Sequence, residues 1–228
     1  MKRTFALLLL LSLSALFFAS DGMYIRISGG WTQSFLTTAE RRAGTSETGI
    51  SGFELSIPVE YRFNDYLSIS SGLRYMMRDT RYQKEFENEM VDDYVFMRSF
   101  LDLPLMVRAG YGNEIIRCYA GAGGYIGIMF MQAVTGHVSA TVSTDITKPG
   151  VEYKYVPFEI IDFNSETNLF DAGLAAELGF GIETENGSVD ISLRYQYSLT
   201  SLYSGTSGSA VKPYIDTLSL SAGYLWRI

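Results

Sequence analysis

The sequence predicts an all-β fold: an eight-stranded antiparallel, up-and-down transmembrane β-barrel with short turns at one end and long loops at the other. Three observations carry that reading. Successive segments alternate apolar and polar residues with a period of two, which is what a strand with two unlike faces produces. The charged residues of those segments share one parity, opposite the apolar one. The connections alternate long and short, as strands crossing a bilayer in opposite directions require.

The 228 residues, 47% of them hydrophobic, suit one domain. Sixteen Tyr and 14 Phe make the chain aromatic-rich, and only 19% of residues are charged. The formal net charge of −7 includes Lys2 and Arg3, so the chain without its leader is more acidic still. A phosphate backbone needs a basic surface, so nucleic acid is not an expected partner. The single cysteine, Cys118, excludes an intrachain disulfide and any multi-cysteine metal site.

Residues 1–22 read as a secretory signal peptide: Lys2 and Arg3, an apolar run from Phe5 to Phe18, then small residues. Cleavage after Ala19 or after Gly22 fits the pattern, and the expected mature domain is 23–228. No cysteine follows the run, which excludes a lipid-anchored lipoprotein. No later segment has the roughly eighteen apolar residues a spanning helix needs. A bilayer crossing must then be a closed barrel, the other fold that satisfies every backbone group in hydrocarbon.

The first predicted strand is Met23 to Phe35, with Ile25, Ile27, Trp31 and Phe35 on one parity. A polar stretch, Thr37 to Thr48, follows. The second strand alternates most cleanly: Phe53, Leu55, Ile57, Val59, Tyr61 and Phe63 against Glu54, Ser56, Pro58, Glu60 and Arg62. Asn64-Asp65 turns the chain into the third strand, with Leu67, Ile69, Leu73, Tyr75 and Met77 opposite Ser68, Ser70, Gly72, Arg74 and Arg78. Asp79 to Tyr94 is long and acidic and reads as a solvated loop. The fourth strand contains Phe100 to Ala109, where Leu101, Leu103, Leu105 and Val107 oppose Asp102, Pro104, Met106 and Arg108. Pro104 predicts a bulge or a broken ladder position, since proline cannot donate.

After Tyr111 to Glu114, the fifth strand runs from Ile115 to Met131. Its Gly121, Gly123, Gly124 and Gly127 imply a bend or close backbone approach. Gln132 to Thr167 is the longest connection. Strand-like pieces within it, such as Val151 to Ile161, suit a hairpin reaching beyond the membrane. The sixth strand, Asn168 to Thr184, sets Phe170, Leu174, Leu178 and Phe180 against Asp171, Glu177 and Glu183. Asn186-Gly187 is a strong hairpin signal. The seventh strand alternates Val189 through Leu199 with Asp190, Ser192, Arg194, Gln196 and Ser198. A Gly/Ser-rich loop, Ser201 to Pro213, leads to the last strand and its Tyr224-Leu225-Trp226-Arg227-Ile228 terminus.

The polar parity collects Arg26, Glu54, Glu60, Arg62, Arg74, Asp102, Arg108, Arg117, Asp171, Glu177, Glu183, Asp190, Arg194 and Arg227, while Lys84, Lys148, Lys154 and Lys212 all fall in loops. Nearly balanced charges facing inward pair with one another, and arginine's planar fork suits carboxylates better than lysine. An eight-stranded barrel is narrow enough for such side chains to fill. The expected interior is therefore plugged by a structural ionic lining, which disfavours an open porin. An exported soluble β-barrel binding an apolar ligand is the alternative, and it would leave those charges outside. A lipid-modifying hydrolase is the second alternative. It would use His137, the sole histidine, with Ser139 and Glu152, but spacing alone does not establish a triad. The reading assigns no catalytic residue, no metal and no cofactor.

Leu101-Asp102-Leu103-Pro104-Leu105-Met106-Val107 resembles the acidic-then-Pro strand of PorT-like outer-membrane β-barrel proteins. Three more segments fit that family in order: Ala120-Gly121-Ala122-Gly123-Gly124-Tyr125-Ile126-Gly127, Phe170-Asp171-Ala172-Gly173-Leu174 through Gly181, and Arg194 through Leu199. Gly124 stands where the family often has Pro. The resemblance implies a small OmpX/OmpA-type barrel in a Gram-negative-type outer membrane. It implies no single activity, although some members serve a secretion and gliding system. Expected partners are outer-membrane lipid, the barrel-insertion machinery through the aromatic C-terminal strand, and an extracellular or envelope protein engaging the long loops. Those loops are acidic, which favours a cationic partner.

Overall fold

Eight long strands follow one another around a ring, each antiparallel to its neighbours. In the computed structural model, residues 22–37, 45–86, 89–113, 115–141, 151–163, 167–202 and 213–228 are described. The strands are β1 (Met23–Thr37), β2 (Thr45–Gly49), β3 (Ser51–Arg62), β4 (Leu67–Met77), β5 (Thr80–Phe86), β6 (Glu89–Gly112), β7 (Ile116–Thr141), β8 (Val151–Ile160), β9 (Phe170–Thr184), β10 (Gly187–Ser198) and β11 (Tyr214–Arg227). The ring runs β1-β3-β4-β6-β7-β9-β10-β11 and closes where β11 pairs with β1. The signal-peptide reading of residues 1–22 lies almost wholly outside the described residues.

The alternation places each parity as a membrane barrel requires. Leu55, Ile57, Leu73, Leu105, Val107, Ile126, Leu178 and Ile191 point outward and are exposed, while Glu54, Glu60, Arg74, Asp102, Arg108, Glu177 and Asp190 are buried inside. A soluble barrel binding an apolar ligand would need the reverse. Cys118 is on the outward face.

Three short turns and both ends of the barrel share one rim, where the Ile228 amide donates to the Met23 carbonyl. Two of the turns use one device. The Asn64 carboxamide oxygen accepts from the amides of Tyr66 and Leu67, and that of Asn113 accepts from Ile115 and Ile116. Such side-chain closure imitates a backbone turn. At the third, Gly187 has φ 156° and packs against the Leu225 carbonyl.

Proline shapes the wall without shifting its register. Between β4 and β6 the pairing resumes from Ser71–Leu105 to Arg74–Asp102, skipping the positions opposite Pro104. Between β1 and β3 it skips likewise opposite Pro58. In each case the proline's other neighbour still pairs with it. The missing donor thus breaks one ladder locally, as proline must.

At the opposite rim the structure departs from the loops expected there. Thr80–Phe86 is a strand, β5, paired with the first part of β6, so most of the acidic stretch 79–94 is sheet. Within the polar stretch before the second barrel strand, Thr45–Gly49 forms β2 against β5. Within 132–167 the expected strand-like piece is present as β8: the fifth barrel strand continues ten residues past Met131, and β8 folds back on it. The order β2-β5-β6-β7-β8 makes a five-stranded antiparallel sheet standing beyond the barrel. A register shift between Ser99 and Phe100 marks the passage from wall to extension, and Gly136, with φ 135°, sits at a second irregularity against β8. Bulges of this kind bend a strand and sharpen its twist.

Candidate functional site

Inside the wall, alternate residues of every barrel strand converge on the axis and build a stack of ion pairs. Nearest the short-turn rim, Arg62 donates from Nε to Glu60 (3.0 Å) and from Nη1 to Glu183 (3.2 Å), its guanidinium carbon 4.2 Å from the Tyr24 ring. One level in, Glu177 is the hub. It accepts from Arg108 (2.9 and 3.1 Å), from Arg194 (2.9 Å) and from the Tyr119 hydroxyl (3.3 Å). Arg108 also donates to Glu60, and Arg26 pairs with Asp190 at 2.9 Å. Mid-barrel, Arg74 donates to Glu54, to Gln196 (2.9 Å) and to Ser219 (2.7 Å). Above it Arg78 donates to Asp102 (2.6 Å) and Asp171, its charge lying over the Phe100 and Tyr125 rings.

The glycines opposite these groups make room for them. A Cβ on Gly127 would lie 2.2 Å from the Asp102 carboxylate, and one on Gly179 would lie 2.0 Å from the Tyr119 ring. Gly121 faces the Arg108 stem in the same way, at 2.9 Å. Close approach is therefore what the glycine-rich strands supply, by interior side chains at Gly121, Gly127 and Gly179 and by neighbouring backbone at Gly123 and Gly124.

Near the loop end the interior turns apolar. Met76, Phe100, Met129, Leu202 and Ile215 form a buried cluster with Leu36 and Phe163 packed on it. Above it the Asp79 carboxylate accepts from the Arg98 amide at 3.1 Å, and Arg98 donates to Thr80 at 2.7 Å. The extension has its own pair: Arg81 donates twice to Asp93, and these hydrogen bonds hold the Asp93 carboxyl below the usual carboxylate range.

Of the fourteen sequence-derived lining residues, thirteen lie within the barrel and twelve share the contacts above. Arg117 is buried at the short-turn rim with no hydrogen bond or ion pair among the described residues. Arg227 is a correction. It has the inward parity but lies on the last residue of β11, beyond the enclosed interior, and is exposed. The predicted lining omits Arg98, Asp79, Tyr119 and Tyr125, and also Arg78 and Gln196, which the alternation places on the polar parity. Parity was the available signal for most of them, since Arg78 follows Arg74 by four residues and Arg98 precedes Asp102 by four on the same strand face. His137 is not on a loop. It lies in the β7 extension opposite Asp93 and Tyr155, its ring 5.1 Å from the Tyr155 ring.

A closed eight-stranded ring with a polar filling, an apolar outer face and short turns on one rim defines a small outer-membrane barrel. The chain belongs to the outer membrane protein beta-barrel domain family, which it matches over residues 19–204. It is thus an outer-membrane protein. Solved structures are similar to it. OprG, an outer membrane protein from Pseudomonas aeruginosa, matches with TM-score 0.50 at 16% identity, over 91% of this chain and 97% of that one. Neisserial surface protein A matches with TM-score 0.48 at 16% identity, over 91% and 97%. Ail, the attachment invasion locus protein of Yersinia pestis, matches with TM-score 0.40 at 17% identity, over 91% and 100%. No curated protein sequence matches the chain.

Proposed function

We propose that this protein is a non-enzymatic, non-porin barrel whose business is at the cell surface. In this reading the ionic lining seals and stiffens a carrier, and the β2-β5-β6-β7-β8 sheet is the working part. One observation carries the proposal: the two longest strands, β6 and β7 at 24 and 26 residues, run from the packed barrel straight into that sheet. Strands crossing a bilayer need only about nine to eleven residues. The surplus length is paired and register-fixed rather than slack. That is the construction expected of a surface held out for contact with another macromolecule. The acidic sequence of 79–94 makes a cationic protein surface the favoured partner. Within the family, the four ordered strand motifs support a place in the PorT-like branch.

Two measurements test this. Replacing residues 134–159 by a short Gly/Ser turn should leave a heat-modifiable, detergent-extracted barrel that has lost its envelope or surface partner in cross-linking. Planar-bilayer recording of the intact protein should show no stable conductance of porin size. Retained cross-links in the shortened protein would refute the role of the extension, and a steady porin-like conductance would refute the seal.

A further inference from the structure

We propose that the short-turn mouth of the barrel is a binding site for a phosphate group, with Arg117 as its principal ligand. A cavity of ≈ 340 Å³ opens there, lined by Arg62, Arg117, Asn113, Tyr66, Asp65 and Glu183 among others. Arg117 is only 9% exposed, yet among the described residues it makes no hydrogen bond and no ion pair. Its nitrogens are not sealed from solvent, so the guanidinium is an unpaired charge meeting the water of the cavity, where an anionic ligand can replace that water.

The neighbouring charges explain why no side chain supplies a partner. Among the described residues, the interior of the short-turn half of the barrel holds five guanidiniums, those of Arg26, Arg62, Arg108, Arg117 and Arg194. It holds four carboxylates, those of Glu60, Glu177, Glu183 and Asp190. Each of the four is already within ion-pair distance of another arginine, so the excess of one positive charge is Arg117 itself. Arg62 lies close enough to repel it, and commits Nε to Glu60 and Nη1 to Glu183. Arg62 also lines the cavity, and its Nη2 makes no hydrogen bond among the described residues. Glu60 and Glu183 attract Arg117 from a distance without pairing with it, and Asp65, exposed on the turn that lines the cavity, is screened by salt.

Arg117 is also held in place. A Cβ on Gly110 would come within 2.9 Å of its Nε and 3.0 Å of its Nη2, with Cζ farther off at 3.3 Å, so the Nε–Nη2 edge of the guanidinium is turned toward that backbone. A planar fork fixed in orientation, with its nitrogens bordering a solvent-connected cavity, matches the geometry of bidentate phosphate recognition. The cavity exceeds one phosphate, so it accepts the group as a free ion, on a small ester or on a phospholipid headgroup reaching in from the inner leaflet.

The test uses the mature protein in maltoside micelles, following the Arg117 Nε–Hε NMR signal (assigned through Arg117→Lys) during titration with inorganic phosphate at constant ionic strength. A parallel titration adds phosphatidylglycerol to the micelles. A saturable shift with inorganic phosphate identifies a soluble source, and one with phosphatidylglycerol alone identifies a lipid headgroup. Calorimetry should show affinity weakened roughly tenfold or more by Arg117→Gln, the loss of a charge-assisted contact. Heat-modifiable migration confirms that this variant still folds. No saturable shift with either phosphate source, or equal affinity in folded Arg117→Gln, overturns the proposal.

Discussion

Replacing Glu177 by Gln tests the central claim about the interior, that its charges hold one another rather than face water. The Glu177 side chain is fully buried, and its two oxygens accept two bonds from Arg108, one from Arg194 and one from Tyr119. Arg26 lies 3.9 Å away. Glutamine preserves the shape but turns one acceptor into a donor that faces guanidinium N–H groups. It also removes the negative charge common to Arg108 and Arg194. Breaking a buried pair from one side leaves the other charge uncompensated, at a cost of about 3–5 kcal/mol.

Reversible urea unfolding in phospholipid vesicles, followed by Trp31 and Trp226 fluorescence and by gel mobility, reads that loss as a lower midpoint at unchanged slope. Arg108→Met supplies the second edge of a cycle. The double variant should be more stable than the sum of the single losses predicts, with coupling of at least about 0.5 kcal/mol. A Glu177→Gln penalty below about 1 kcal/mol, the range of exposed pairs, would mean that water reaches the network. Strict additivity would mean that Glu177 and Arg108 do not depend on one another. Either result would refute the packed ionic lining.

Other perturbations address the wall. Gly127→Ala should destabilise by about 1–3 kcal/mol in the same assay, since the new methyl overpacks Asp102. Gly181→Ala should change little, its nearest contact for a Cβ being 3.6 Å. Leu105→Arg, on the outward face, should cost about 2–4 kcal/mol in vesicles if that position is near the bilayer midplane, whereas a solvent-facing site would tolerate it. His137→Ala should leave lipid A composition unchanged by mass spectrometry, and a loss of deacylation would reinstate the hydrolase reading.

The barrel was legible because lipid and a narrow interior enforce one rule along every wall strand. Phe53 to Arg62 could hardly alternate otherwise, with lipid on one side and arginine partners on the other. That rule ends with the bilayer. Thr80–Phe86 pairs with the first part of β6, with one register shift, yet nothing beyond the bilayer demands an apolar parity, so the acidic composition there resembles a loop. The lining was legible as a set of residues but not as a set of pairs. That Arg78 joins Asp102 to Asp171 depends on the stagger of three strands, which parity does not specify. Arg227 shows the complementary failure: inward parity guarantees enclosure only where neighbouring strands continue past the residue.

The two halves of the molecule are mechanically one through β6. Arg98 and Asp102 lie on it four residues apart, either side of the Ser99–Phe100 register shift. Asp102 is tied through Arg78 to Asp171 on β9, while Asp79, just past β4, receives the Arg98 amide. The base of the extension is thus anchored to strands on both sides of the barrel. From Ser99 to Glu89 the strand advances on the order of 35 Å at the usual rise per residue. A surface carried that far on a loop would lose its orientation to chain entropy, and ordering it on contact would subtract from affinity. A packed, charge-locked barrel pre-orders the sheet at its root. On this argument, a variant that loosens the interior without unfolding it should weaken partner binding even though the altered residue never touches the partner.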